Sequence, residues 1–138
     1  MKKQFHELKI LIVDDDKTMR RIVSNYLKNV GARNLTLINV ASKAFKILED
    51  VHKEKDPFDL VLLDINMPGK TGDQLLEEIK GHRLLGATKV IMVTAENDKE
   101  TVLKCVDNGA DYYLIKPVME KALAEAIEKL NITVNNLD

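Results

Sequence analysis

The sequence predicts an α/β protein: a doubly wound, five-stranded parallel sheet with helices on both faces. Three observations carry this. Short apolar runs, too short to be helices, recur along the chain and stop abruptly at a polar residue. Longer segments between them repeat apolar residues at helical spacing. The short runs are apolar at successive positions instead of alternating, as in strands covered on both sides.

In chain order, the first strand is Ile10-Leu11-Ile12-Val13, followed at once by Asp14 and Asp15. Met19, Ile22, Val23, Tyr26, Leu27 and Val30 then form one helical stripe, with Gly31 as its stop. Asp16 is expected to start that helix, where negative charge is favoured. A weaker strand, Leu35 to Val40, precedes a helix marked by Ile47, Leu48 and Val51. A charged turn, Lys53 to Pro57, leads to Leu60-Val61-Leu62-Leu63 and then Asp64. Thr71 is placed to cap the third helix, which carries Leu75, Leu76 and Ile79. Val90-Ile91-Met92-Val93 ends in Thr94 and precedes a fourth stripe of Val102, Leu103 and Val106, closed by Asn108-Gly109. Tyr112-Tyr113-Leu114-Ile115 ends in Lys116-Pro117. The last stripe is Met119, Ala122, Leu123, Ala126, Ile127 and Leu130, and the tail from Asn131 is expected to fray.

Bulk composition narrows the function. A length of 138 residues suits a single domain, 1–138, with its core over about 8–130. Hydrophobic residues at 45% are enough for a packed interior, which argues against disorder. Lys and Arg number 21 against 22 Asp and Glu, so the chain lacks the basic excess of a domain devoted to nucleic acid. Cys105 stands alone, as suits a reducing compartment. His6, His52 and His82 have no ligand spacing that would suggest zinc. Neither a secretion signal nor a membrane-length apolar run is visible, so a cytoplasmic protein is expected.

The chemistry lies at the strand ends. Ligands of open parallel sheets sit at the carboxyl ends of the strands, beside the point where strand order reverses. In the flavodoxin-like order 2-1-3-4-5, strands one and three flank that point, and they end in Asp14-Asp15 and Asp64. Thr94 and Lys116 end strands four and five. Three clustered carboxylates repel one another unless a cation neutralises them, and an oxygen-rich set of this kind suits Mg²⁺. A carboxylate nucleophile, a hard cation, a lysine and a hydroxyl together form a phosphoryl-transfer site.

The chain resembles the receiver domains of two-component response regulators from about Leu8 to about Leu130. The resemblance rests on Ile12-Val13-Asp14-Asp15 with Thr18-Met19-Arg20-Arg21-Ile22-Val23, and on Asp64-Ile65-Asn66-Met67-Pro68 with Gly72. Met92-Val93-Thr94-Ala95-Glu96, Gly109-Ala110 and Tyr113-Leu114-Ile115-Lys116-Pro117 complete it. It implies that Asp64 is the phosphoacceptor, that Asp15, Asp64 and the Asn66 carbonyl bind Mg²⁺, and that Asp14 acts through water. It further implies that Lys116 contacts the phosphoryl group across a cis bond to Pro117. Thr94 and Tyr113 would form a switch pair that repacks the face made by the fourth helix, fifth strand and fifth helix. Asn66 and Glu96 would set the lifetime of the phosphoryl group. Implied partners are a sensor histidine kinase or histidine phosphotransfer protein, and a downstream protein such as a flagellar motor, chemotaxis or phosphorelay component.

Departures from the family pattern are local: Ala44, Ile47, Thr71 and Val118 replace the usual residues, and none lies among the site residues. A phosphorelay module, or a receiver cut from a longer regulator, is an alternative reading. A haloacid-dehalogenase-type Mg²⁺ phosphohydrolase also uses an aspartate after a strand. That family wants a second aspartate two residues on, where this chain has Asn66. A pseudo-receiver that binds partners without phosphorylation is disfavoured, because every site residue is present.

Overall fold

A computed structural model describes residues 1–95 and 99–134. Strands β1 (Lys9–Val13), β2 (Asn34–Ile38), β3 (Leu60–Asp64), β4 (Lys89–Thr94) and β5 (Tyr112–Ile115) alternate with helices α1 (Lys17–Asn29), α2 (Ala41–Lys53), α3 (Gly72–Gly81), α4 (Lys99–Asp107) and α5 (Glu120–Leu130). The sheet order is β2-β1-β3-β4-β5, and every pairing is parallel. The doubly wound architecture is therefore as predicted.

The two sheet faces bury different residues because strand side chains alternate. Leu11, Val13, Val61, Leu63, Val90 and Met92 pack under α2 and α3. Ile10, Ile12, Leu60, Leu62, Ile91 and Val93 pack under α1 and α5. Strand β3 lies at the centre and is buried at all five positions, which is why its run reads as uninterrupted apolar sequence.

Local signals are realised in the expected places. The Asp16 side chain caps α1 by accepting from the Thr18 and Met19 amides. Thr71 and Gln74 form a capping box on α3. Gly31 and Gly109 take φ of 107° and 95°, a region that favours glycine, after α1 and α4.

Two readings are corrected, the end of β2 and the fraying of the tail, and two helical stripes prove to face partly outward. Strand β2 ends at Ile38, not at Val40, because β1 offers partners only as far as Val13. The α4 stripe is not core: Leu103 is 61% exposed and Val106 52%, while Cys105 is the residue buried on that helix. Met119 and Ala122 are exposed too, so α5 buries only Leu123, Ala126 and Ile127. As for the tail, Asn131 to Val134 is tied down. Lys3 donates its amide to the Ile132 carbonyl and Val134 to the Met1 carbonyl, making a short antiparallel bridge between the two ends.

Two carboxylates at the opposite, amino-terminal edge of the sheet brace the strand starts. Asp59 accepts from the Lys9 amide and from the Lys3 ammonium. Asp111 does the same for the Val90 amide and Lys80. They hold the register of β1 and β4, which fixes how far each strand's other end projects.

Candidate functional site

The carboxyl-terminal edge gathers the predicted residues. Val13 and Leu63 are register partners, so Asp14 and Asp64, one residue further along each strand, emerge side by side. Ligating oxygens of Asp14, Asp15 and Asp64 all lie within 4.8 Å of one another. Asp14 and Asp64 are buried, and Asp15 faces solvent.

Lys116 closes the pocket from β5. Its Nζ lies 3.3 Å from Asp64 Oδ1 and 3.5 Å from Asp14 Oδ2. The Lys116-Pro117 bond is cis, as expected. The Lys116 amide donates to the Thr94 carbonyl at 2.7 Å, holding the end of β5 to the end of β4. Thr94 itself is buried at that end.

The electrostatics show why these groups need each other. Burial raises the Asp64 carboxyl from 3.8 to about 6, and the neighbouring Asp14 charge adds to the rise. The Lys116 ammonium and the Asn66 amide oppose it without cancelling it. Lys116 shows the reverse balance: burial disfavours its charge, but Asp14 and Asp64 outweigh that and raise its pKa. The protein alone thus leaves the acid pocket under-neutralised. Three carboxylate donors with one position open to solvent match what a hard divalent ion such as Mg²⁺ requires.

Two supporting contacts were not foreseen. The Arg20 guanidinium donates to the Asp14 carbonyl at 2.6 Å, and the Asp16 amide donates to Asp14 Oδ1 at 2.9 Å. Both orient Asp14. The Arg20 contact has a faint sequence signal, since residue 20 lies on the first turn of a helix that starts at the site. Asn66 joins through its backbone amide, which donates to the Asp64 carboxylate. Tyr113 lies outside the pocket at 40% exposure, on the same face as Leu103 and Ile115. Glu96 falls outside the described residues.

A doubly wound sheet with buried acids at its switch point, faced by a lysine from the end of the edge strand, defines a class: small α/β modules whose acidic pocket could hold a metal ion. The response regulator receiver domain family model matches residues 10–128, and the chain belongs to that family. It is 37% identical to the chemotaxis protein CheY of Pseudomonas aeruginosa over 93% of this chain and 99% of that one. It is also 37% identical to chemotaxis protein CheY-3 of Vibrio cholerae, over 89% of this chain and 91% of the relative. Among solved structures, a CheY-like receiver domain protein from Methanospirillum hungatei superposes with a TM-score of 0.77 at 34% identity, covering 90% of this chain and 94% of that one. CheY in a CheX–CheY–BeF3–Mg complex from Borrelia burgdorferi has a TM-score of 0.82 at 21% identity over 91% and 90% of the two chains, which speaks to the fold alone. Along most of its length the chain is thus similar to chemotaxis CheY proteins.

Proposed function

We propose that Asp64 is the phosphoacceptor, and that this receiver works as a cytoplasmic switch phosphorylated by a histidine kinase or histidine phosphotransfer protein. One observation carries the reading: three carboxylates within 4.8 Å of one another, with the Lys116 ammonium 3.3 Å from Asp64. Asp15 and Asp64, with the Asn66 carbonyl, would hold Mg²⁺ directly, and Asp14 would do so through water. When bound, the ion supplies charge neutralisation for the incoming phosphoryl oxygens.

The chain's own residues do the rest. An Asp64 carboxylate oxygen forms a bond to phosphorus as the donor's phosphorus–nitrogen bond breaks, and the freed imidazole keeps the electron pair. Lys116, already aimed at Asp64, pairs with the transferred oxygens. The Thr94 hydroxyl, at the end of the adjacent strand, donates to another. The product carries roughly two added negative charges, which Lys116 and Thr94 relax around. Tyr113 then turns inward from its exposed position, and the α4-β5-α5 face repacks. That face already presents Leu103, Val106, Ile115 and Met119 to solvent, so a partner has apolar surface to read. Asn66 and Glu96 make the phosphoryl state short-lived. The domain catalyses only its own phosphorylation and dephosphorylation.

Incubation with acetyl phosphate and Mg²⁺ tests the reading. One acyl phosphate should form on the wild type and none on Asp64→Asn. Repeated turnover of a phosphate ester would indicate a phosphohydrolase, and no labelling at all a pseudo-receiver.

A further inference from the structure

Gly72 opens α3 directly after the loop that leaves the phosphoacceptor strand. Its backbone is outside the left-handed region that Gly31, Gly69 and Gly109 occupy, so conformation alone would admit a side chain. Space would not. A Cβ on Gly72 would stand 2.7 Å from the Asp64 carbonyl carbon and 2.7 Å from Ile65 Cα, and closer still to the Asp64 carbonyl oxygen. These are backbone atoms, which cannot swing aside as a side-chain tip can. The Gly72 amide donates to the Ile65 carbonyl at 2.9 Å, which fastens the two segments at this distance.

Neither large element gives way easily. Strand β3 is paired on both sides by β1 and β4 and is buried throughout. Helix α3 is anchored by buried Leu75, Leu76 and Ile79. The segment left to absorb a displacement is Asp64 to Asn66, which carries the carboxylate, the Asn66 amide and the Asn66 carbonyl.

We propose that Gly72 is a positioning residue for phosphorylation: its missing side chain lets α3 press against the Asp64–Ile65 backbone, which sets the Asp64 carboxylate and Asn66 against Asp14, Asp15 and Lys116. The inference rests on Asp64 being the phosphoacceptor. Alanine is otherwise a better helix former than glycine, so a loss on Gly72→Ala reports the clash.

The test compares the wild-type chain, residues 1–138, with three variants. Gly72→Ala carries the clash. Gly86→Ala adds a Cβ that meets carbonyls only at 3.5 and 3.6 Å, an ordinary contact. Ile79→Val trims one methyl from the buried face of α3 and leaves the Gly72 contact with the Asp64–Ile65 backbone as it is, and so controls for lost stability. Thermal unfolding, metal-free amide NMR shifts of residues 64–66, Mg²⁺ affinity by calorimetry and the initial rate of labelling by acetyl phosphate are measured.

Gly72→Ala should remain folded, move those amide shifts, bind Mg²⁺ about tenfold more weakly, and label ten- to about a hundredfold more slowly. The two controls should stay within about twofold of wild type in affinity and rate. Wild-type affinity and rate in Gly72→Ala, or losses no larger than those of an equally destabilised Ile79→Val, would overturn the proposal. So would a Gly72→Ala chain that cannot fold even in stabilising osmolyte, since the residue would then serve folding alone. A wild type that never labels sinks the phosphoacceptor reading instead, and the amide shifts still decide whether Gly72 places the Asp64 backbone.

Discussion

Replacing Asp64 with asparagine should stabilise the metal-free protein at neutral pH, even though it removes an ion pair. Burial and the Asp14 charge raise the Asp64 carboxyl from 3.8 to about 6, so the folded state resists the ionised form. A group whose pKa is raised on folding contributes its stability below the unfolded value and loses it as pH climbs through the folded one. The window therefore runs from about pH 4 to just above 6. By pH 7.5 the wild type has lost on the order of 1–2 kcal/mol relative to a neutral side chain at this position, the roughly 3 kcal/mol of the full shift being cut by solvent screening in a pocket open beside Asp15. Asparagine recovers that amount, since the Lys116 attraction is already contained in the raised value, and Lys116 retains Asp14 at 3.5 Å. A net gain of about 1–2 kcal/mol follows, or a rise in Tm of roughly 4–8 °C for a domain of this size. Urea and thermal unfolding of both proteins in EDTA, at pH 7.5 and at pH 4, would measure it. The gap should be open at the higher pH and nearly closed at the lower. Mg²⁺ should then favour the wild type, by about 2.7 kcal/mol at a hundred times Kd. An Asp64→Asn protein less stable than wild type in EDTA at pH 7.5, or a gap indifferent to pH, would refute this account of the pocket.

Lys116→Met should slow acyl phosphate formation from acetyl phosphate by about 10²–10³, because it removes the preplaced charge beside Asp64; labelling time courses would report it. Leu76→Ala, on the fully buried face of α3, should cost about 2–5 kcal/mol in urea unfolding. Asp16→Ala removes the α1 cap and should cost about 0.5–2 kcal/mol, with labelling unchanged, since the Asp16 bond to Asp14 is a backbone one. Leu103→Ser should change stability by no more than about 0.5 kcal/mol; a loss several times larger would return the α4 stripe to the core.

What could be read from the sequence, and what could not, follows from where each decision is made. The carboxyl-terminal edge was legible because the chain changes character there within one residue: Val13 to Asp14, Leu63 to Asp64, Val93 to Thr94, Ile115 to Lys116. A parallel sheet aligns those ends by topology alone, so no side-chain detail is needed to bring the acids together. The burial of α4 depends instead on how far the helix covers β5, an edge strand, and periodicity carries no information about that. Leu103 and Val106 match a helical stripe equally well whether a core or a partner covers them. The pairing of Lys3 with Ile132 ties down the start of a tail that looks frayed when read by itself. Gly72 is legible as a glycine at a helix start, but only the packed structure brings the Asp64 backbone within reach of its absent Cβ. The acids of the pocket are a property of strand ends, whereas their placement against one another is a property of what presses on the strand from behind. A side chain at Gly72 should therefore alter phosphorylation without changing any group that touches the phosphate.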